Sequence, residues 1–279
     1  MKKIGFIEYY LNEWHANNYP DLIEKASGGK YKVCYAYAHG ENPKGGMTNQ
    51  EWAELHNVQL LDTIEEVIEK SDCLVVLSPD HPELHEFLCE KPLRSGKRVY
   101  IDKTFAPDKE TALRIFANAE KHNTQCFSSS ALRFATEWQE MPREGIYKIF
   151  SEGPGTLEIY SIHQIEPIVH LMNCRVQRLM FLGDEKHPSM IIQFADGRLA
   201  QMYHRIDEKK TFAMTIVDAD NKAVRHEVKS DYFGLFIDAM IRFFDTGEPP
   251  VSHEQTVDVI AVRTAAIKAC KTPFQWVEL

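Results

Sequence analysis

Two short stretches of this sequence bring together residues able to move protons. In the first, RVYIDKTF, Asp102 and Lys103 follow a β-branched and aromatic run at Val99, Tyr100 and Ile101. A lysine at the end of a strand can accept the proton of a bound hydroxyl or lower that group's pKa. Partial burial beside other cations would bring its own pKa toward the working range. Position alone leaves an ordinary exposed surface lysine as an equal reading. In the second stretch, YSIHQIEPIVHLM, His163, Glu166 and His170 stand at i, i+3 and i+7. On a helix all three share one face. His163 could then act as a general acid/base, with Glu166 orienting it or binding a substrate hydroxyl. Two histidines and a carboxylate could also ligate a metal, although the spacing is not H-E-x-x-H. The plain alternative is a solvated polar face on a helix that also carries Ile162, Ile165, Ile168 and Val169.

Smaller signals lie nearby. His81 and His85, in HPELH, form an i, i+4 pair at the start of a helix, one suited to a ligand and the other to a structural or exposed role. Arg133 follows Ser128, Ser129 and Ser130 and could reach an anionic substrate, a phosphate or an internal acid.

The elements that must position these residues fall into two patterns. Up to about residue 130, strand-like runs at 3–9, 31–38, 73–77, 98–101 and 125–128 alternate with helical spacing at 14–26, 50–56, 63–70 and 82–93. A further helix is marked by Ala112, Ile115, Phe116 and Ala119. That alternation predicts a parallel sheet wrapped by helices, with Asp102-Lys103 at the edge where such sheets bind ligands. Beyond residue 130, runs at 146–150, 155–159, 176–181, 190–194, 199–203, 212–217 and 223–228 predict a largely antiparallel sheet. Helices are expected at 163–172, 232–245 and 254–270. The fold expected is an α/β Rossmann-like domain over 1–130 and an α+β domain over 131–279.

Composition narrows the partners. The 279 residues carry a net charge of −9, which argues against nucleic acid or an anionic membrane surface. No apolar run approaches the roughly 18 residues of a membrane span, and the polar N-terminus carries no signal-peptide core. The six scattered cysteines, without a CxxC pair, read as reduced thiols. These features point to a cytoplasmic protein, in which a small anion could still bind in a local basic pocket.

A dinucleotide-binding fold normally carries G-x-G-x-x-G after its first strand, since only glycine lets amides approach a diphosphate closely. Here the stretch reads GFIEYYLNEWHANNYP, with Gly5 inside the strand and Tyr9, Tyr10, Trp14 and His15 in place of the glycines. The aromatic residues could cap the sheet end or touch a ligand. A bound diphosphate would have to take hydrogen bonds from side chains such as Asn12 and from the amides of the next helix.

The segments SPDHPELH, GKRVYIDKT, FSSSALRF and YSIHQIEPIVHLM together resemble the Gfo/Idh/MocA family of oxidoreductases. Its G-K-x-V-x-x-E-K-P segment matches Gly96 to Thr104, with Asp102 in place of Glu and Thr104 in place of Pro. Its D-x-G-x-H-x-x-D segment matches at His163 and Glu166, with Ile159 in place of the first Asp. The resemblance implies an NAD(P)-dependent oxidoreductase acting on a sugar, cyclitol or related polyhydroxylated molecule, with Lys103, His163 and Glu166 catalytic. NAD or NADP would be held by Tyr9, Tyr10, Asn12, Glu13, Trp14, Ser78, Pro79, His81, His85, Asp102 and Lys103. Arg133 and His170 would bind substrate, no resident metal is implied, and the second sheet would join copies into a homodimer or homotetramer. Two alternatives stand beside this: a ligand-binding or regulatory descendant that has lost the cofactor, and a metal-dependent lyase or hydrolase.

Overall fold

Strands and helices alternate through the first part of the chain because buried β-branched runs are separated by capped amphipathic segments. They are β1 (Lys2–Glu8), α1 (Trp14–Ala26), β2 (Tyr31–Ala38), α2 (Asn49–His56), β3 (Gln59–Leu60), α3 (Ile64–Lys70), β4 (Cys73–Val76), α4 (His85–Glu90), β5 (Arg98–Ile101), α5 (Lys109–Lys121) and β6 (Cys126–Phe127). Thr48 and Thr63 close capping boxes with Glu51 and Glu66 at the starts of α2 and α3. The helix expected over 82–93 is shorter. Pro82 and Pro92 each open a 3-10 turn beside α4, where a residue lacking an N–H is tolerated.

Every strand pair here is parallel, in the order β3-β2-β1-β4-β5-β6. The order reverses between β1 and β4, and ligands of such sheets bind outside the strand carboxyl ends at that point. Residues on both faces of the central strands are buried, as helices on both sides require: Ile4, Phe6 and Ile7, then Leu74 to Val76, then Val99 to Ile101. Gly5 serves this packing. A Cβ there would lie 2.4 Å from Val67 Cγ1 and Ser71 Oγ, so its absence lets α3 rest on β1.

The computed structural model describes residues 1–141, 143–184, 186–205 and 211–279. The chain divides into two compact units, Met1–Ser129 with Gly234–His253, and Ser130–Phe233 with Glu254–Leu279. The remaining elements are α6 (Thr136–Gln139), β7 (Ile146–Pro154), α7 (Leu157–Met172), β8 (Val176–Leu182), β9 (Ser189–Phe194), β10 (Leu199–Arg205), β11 (Ala213–Asp218), β12 (Ala223–Glu227), α8 (Tyr232–Thr246), α9 (His253–Ala269) and β13 (Trp276–Glu278). Most of α8, expected with the second part, belongs to the first unit. Phe236 packs its ring against Tyr19 and Tyr100, and Phe243 packs against Phe127.

The second unit's sheet runs β12-β11-β7-β10-β9-β8-β13. All its pairs are antiparallel except β7 with β10. The strand expected at 155–159 is absent. β7 continues to Pro154, Gly155 turns the chain with φ +73°, and α7 begins at Leu157. A Cβ on Gly155 would meet the Tyr160 ring at 2.4 Å, so the turn needs glycine on both counts. α7 lies on one face of this sheet, where Ser151 Oγ donates to Gln164 Oε1 at 2.7 Å. Phe150 and Tyr203 are exposed on the other face. Among the described residues, no helix is long and apolar enough to cross a membrane.

Candidate functional site

The first unit gathers charge at its strand ends. β1 finishes at Glu8, whose buried carboxylate accepts the N–H of Tyr9 and that of Ser78, each at 2.7 Å. Tyr9 follows β1 and Ser78 lies just beyond β4, so one side chain bridges the point where the strand order reverses. Burial, then the charge of Glu13, pushes Glu8 well above the usual carboxylate range against the pull of those two donors. Ser78 has φ +94°, a conformation uncommon for any residue but glycine, and its buried Oγ has no hydrogen-bond partner.

Glu13 precedes α1 with extended backbone, and its carboxylate accepts the N–H of His15 at 2.8 Å and that of Ala16. A carboxylate at a helix start satisfies orphan amides and is favoured by the helix dipole. α1 then turns His15, Ala16, Tyr19 and Ile23 inward. His15 Nδ1 lies 2.7 Å from Asp102 Oδ2 and 3.8 Å from Glu13 Oε2. The other Asp102 oxygen accepts the Tyr100 hydroxyl at 2.7 Å. Burial alone would raise Asp102, but His15, Lys103 and Tyr100 outweigh it and hold its pKa below the usual value. Burial alone would lower His15, yet Asp102 and Glu13 lift it. Each partner therefore favours the charged form of the other. Lys103 is largely buried beside it, with Nζ 3.6 Å from the exposed Asp80. His15 was expected only as one of four aromatic residues capping the sheet end or touching a ligand; its further signal was its place on the inward face of α1, four residues before Tyr19.

The other residues expected here divide. The rings of Tyr9, Tyr10 and His81 meet edge to face, with centroids 5.1 to 6.2 Å apart, and all three keep some surface. Asn12 is turned to α1, where its Oδ1 accepts from Asn17 Nδ2 at 3.2 Å. Trp14 stands half-exposed at the helix start. The Pro79 carbonyl accepts the N–H of Thr104 at 3.4 Å. His85, expected to reach a cofactor, is instead fully buried. Its nitrogens lie 2.7 Å from the Leu77 carbonyl and 3.1 Å from that of Phe105, so it ties the end of β4 to the chain beyond Lys103.

In the second unit α7 does place His163, Glu166 and His170 along one face, and the turn 130–134 lies against it. Ser130 Oγ is 2.7 Å from His163 Nδ1, and its N–H donates to Glu166 Oε2 at 3.3 Å. Arg133, buried, donates to Glu166 Oε1 at 3.4 Å, and its Nη2 lies 2.8 Å from His170 Nδ1. Gln255 accepts from the same guanidinium, and Arg143 Nη2 is 3.0 Å from His170 Nε2. Burial and the two arginines drive His170 down to about 3. Arg133 and His170 are thus built into an internal network, while His163 keeps some surface beside Tyr160 and Phe212. A guanidinium stands between Glu166 and His170 where a shared metal would have to sit. Among the described residues no three His, Cys, Asp or Glu side chains are gathered to hold one. Ser130, Arg143 and Gln255 carried no sequence signal of their own.

No family model matches the sequence, and no curated protein matches it. The fold, however, is shared with solved structures over whole chains. GenD2 from gentamicin A biosynthesis, in complex with NAD, superposes with a TM-score of 0.82 at 11% identity, over 100% of this chain and 97% of that one. Apo scyllo-inositol dehydrogenase from Lactobacillus casei gives 0.79 at 14%, over 99% and 98%. UDP-N-acetylglucosamine 3-dehydrogenase GnnA from Acidithiobacillus ferrooxidans gives 0.78 at 13%, over 98% and 99%. Identities this low show a common fold.

Proposed function

We propose that this chain is a divergent Gfo/Idh/MocA-type oxidoreductase that uses NAD or NADP on a sugar, cyclitol or related polyhydroxylated small molecule. The observation that carries this is Lys103 at the carboxyl end of β5, in a sheet of dinucleotide-binding order, beside the buried His15–Asp102 pair. The names of the neighbours, an NAD complex and dehydrogenases of inositol and of a nucleotide sugar, support the same reading. Oxidising a carbinol requires its hydroxyl proton to leave. Lys103 is assigned that proton, and His15–Asp102 holds a fixed charge pair beside it. His163 is assigned contact with a substrate hydroxyl, with Ser130 orienting its ring. Glu166, Arg133 and His170 keep that stretch of α7 in place. Tyr9, Tyr10, Ser78, Pro79 and His81 are assigned to the cofactor.

The two ends of a dinucleotide meet different conditions here. Near Lys103, the unpaired Ser78 Oγ offers a group to a nicotinamide, which would supply the redox chemistry. At the start of α1, the amides that a diphosphate ordinarily takes already donate to Glu13. Glu8 and Asp102 add two more carboxylates to that end of the sheet. With Glu13 in place, the residues there do not fit a diphosphate. That one observation favours a second reading, a non-redox ligand-binding descendant of the same fold.

Calorimetric titration of stripped protein with NADH and with NADPH separates the two. Saturable binding supports the oxidoreductase; no binding by folded protein moves the assignment to the second reading. We further place the protein in the cytoplasm, as a homodimer or homotetramer joined through the open face of the second sheet. There Phe150 and Tyr203 are exposed between Glu152 and Arg225. Light scattering of Phe150→Glu should then give a smaller species than the wild type, and an unchanged mass would remove that interface.

A further inference from the structure

We infer that the outer edge of the His170 ring, together with Arg143 and Gln139, is a binding site for an oxyanion, the chemistry that phosphate and carboxylate ligands share. It lies within the second unit, seven residues along α7 from His163, about 10 Å at the rise of an α-helix. It is therefore separate from the contact assigned to a substrate hydroxyl.

Among the described residues, every hydrogen-bond partner of the buried His170 ring is a donor. Arg133 Nη2 lies 2.8 Å from Nδ1, while Arg143 Nη2 lies 3.0 Å and Gln139 Nε2 3.4 Å from Nε2. Gln139 cannot turn its amide to offer the oxygen, because its Nε2 donates to the Arg133 carbonyl at 2.7 Å. A neutral imidazole accepts at one nitrogen and carries a hydrogen on the other, and His170 is held neutral, with its pKa at about 3. One edge of the ring therefore sets N–H against N–H. Arg133 is buried and committed to Glu166 and Gln255, so it cannot withdraw, and Nδ1 accepts from it. The hydrogen then sits on Nε2, facing the N–H groups of Arg143 and Gln139. Three donors converge there with no acceptor among them. Arg143 and Gln139 are both exposed, and Arg143 stands between α6 and β7, able to swing outward and admit an acceptor from solvent. Charge points the same way. Arg143 opposes the charge of Arg133, and Glu166 is already taken by Arg133 and by the Ser130 N–H. An oxyanion at Nε2 would accept from all three donors and offset the second guanidinium.

The test uses the full chain without added nucleotide, titrated calorimetrically with inorganic phosphate and with acetate at constant ionic strength. Saturable binding of at least one is expected, and the tighter of the two names the group. Arg143→Gln, an exposed change, should weaken that binding at least about tenfold. Arg175→Gln, an exposed arginine just before β8, controls for net charge and should bind like wild type. Nitrogen-15 spectra of the imidazole should show the hydrogen on His170 Nε2, with that resonance moved by the bound anion. No saturable binding of either anion by folded protein would overturn the inference. So would equal affinity in Arg143→Gln and wild type, or a hydrogen found on Nδ1 instead.

Discussion

At the strand ends of the first unit, the buried Asp102 and the half-buried Glu13 lie 2.7 and 3.8 Å from the His15 imidazole, and the buried Glu8 ends β1. On α7 of the second unit, one guanidinium is buried between a carboxylate and an imidazole, with Arg143 as a further cation. The first cluster is rich in carboxyl groups, with crowding and burial raising Glu8 and Glu13, and the second is rich in guanidinium groups. The same residue type is therefore pushed in opposite directions: Asp102 and Glu13 outweigh burial and raise His15, whereas burial, with Arg133 and Arg143 beside it, drives His170 down to about 3. Neighbours, not burial, decide between them, since both rings are buried. The first cluster also carries backbone strain at Ser78 and a carboxylate cap at Glu13, whereas the second is cross-linked residue by residue.

Removing one cation from each cluster gives the largest expected contrast. Lys103→Met should lower kcat/KM about 10²- to 10⁴-fold on whichever polyol or nucleotide sugar of a panel the wild type turns over. Stability should shift by only about 1 kcal/mol, because among the described residues the ion pair lost is with the exposed Asp80 and the buried Asp102 keeps His15 and Tyr100. Arg133→Ala should do the reverse in character. It takes the guanidinium away from the buried Glu166 and should cost roughly 3–5 kcal/mol in urea unfolding, with activity falling as a consequence. A Lys103→Met enzyme of undiminished rate would remove this lysine from the chemistry. A fully stable Arg133→Ala protein would remove the architectural role of the second cluster.

Acid and base should then separate the two histidines. Burial tends to lower His15, but Asp102 and Glu13 lift it above 6.5. The folded protein therefore holds that proton more tightly than the unfolded chain, so its contribution is full below pH 6.5 and is lost as pH rises through the folded value. His170, at about 3, behaves oppositely: its contribution is full above 6.5 and fades as pH falls toward 3. Urea midpoints across pH should show His170→Gln flattening the acid limb. His15→Gln should flatten the alkaline limb and, by leaving Asp102 without its partner, lower the plateau as well. Parallel profiles for the two variants would break the contrast.

How much of this could be read from the residues alone follows from the range of the interactions. Strands such as 73–77 and the alternation around α5 are local patterns, so the Rossmann-like order and the placement of Lys103 were legible. The face formed by His163, Glu166 and His170 was legible too, being helical spacing. The strand expected at 155–159 failed because Leu157 and Ile159 suit either structure, and the packing of Tyr160 over Gly155 decided for a helix. The partners of these residues were not legible. Arg133 meets Glu166 across 33 positions of chain, and His15 meets Asp102 across 87. Glu13 looked like a ligand-contact residue in the loop, and only the folded helix start shows that it already occupies the amides.

The smallest test compares one hydroxyl from each cluster. Tyr100 donates to Asp102 at 2.7 Å inside the buried pair, so Tyr100→Phe leaves a charged acceptor short of a donor that water cannot replace. Hydrogen bonds to buried charges are worth about 1.5–3 kcal/mol. Ser130 Oγ sits 2.7 Å from His163 Nδ1, but His163 keeps some surface where water can reach its ring. Ser130→Ala should therefore cost only about 0.5–1.5 kcal/mol. It leaves the Ser130 N–H on Glu166 untouched, so the Arg133 network should survive. A double-mutant cycle with His163→Ala isolates the hydroxyl–imidazole coupling. Coupling near zero would mean that water already serves His163, and its orientation for a substrate hydroxyl would have to come from Tyr160 and Phe212 instead.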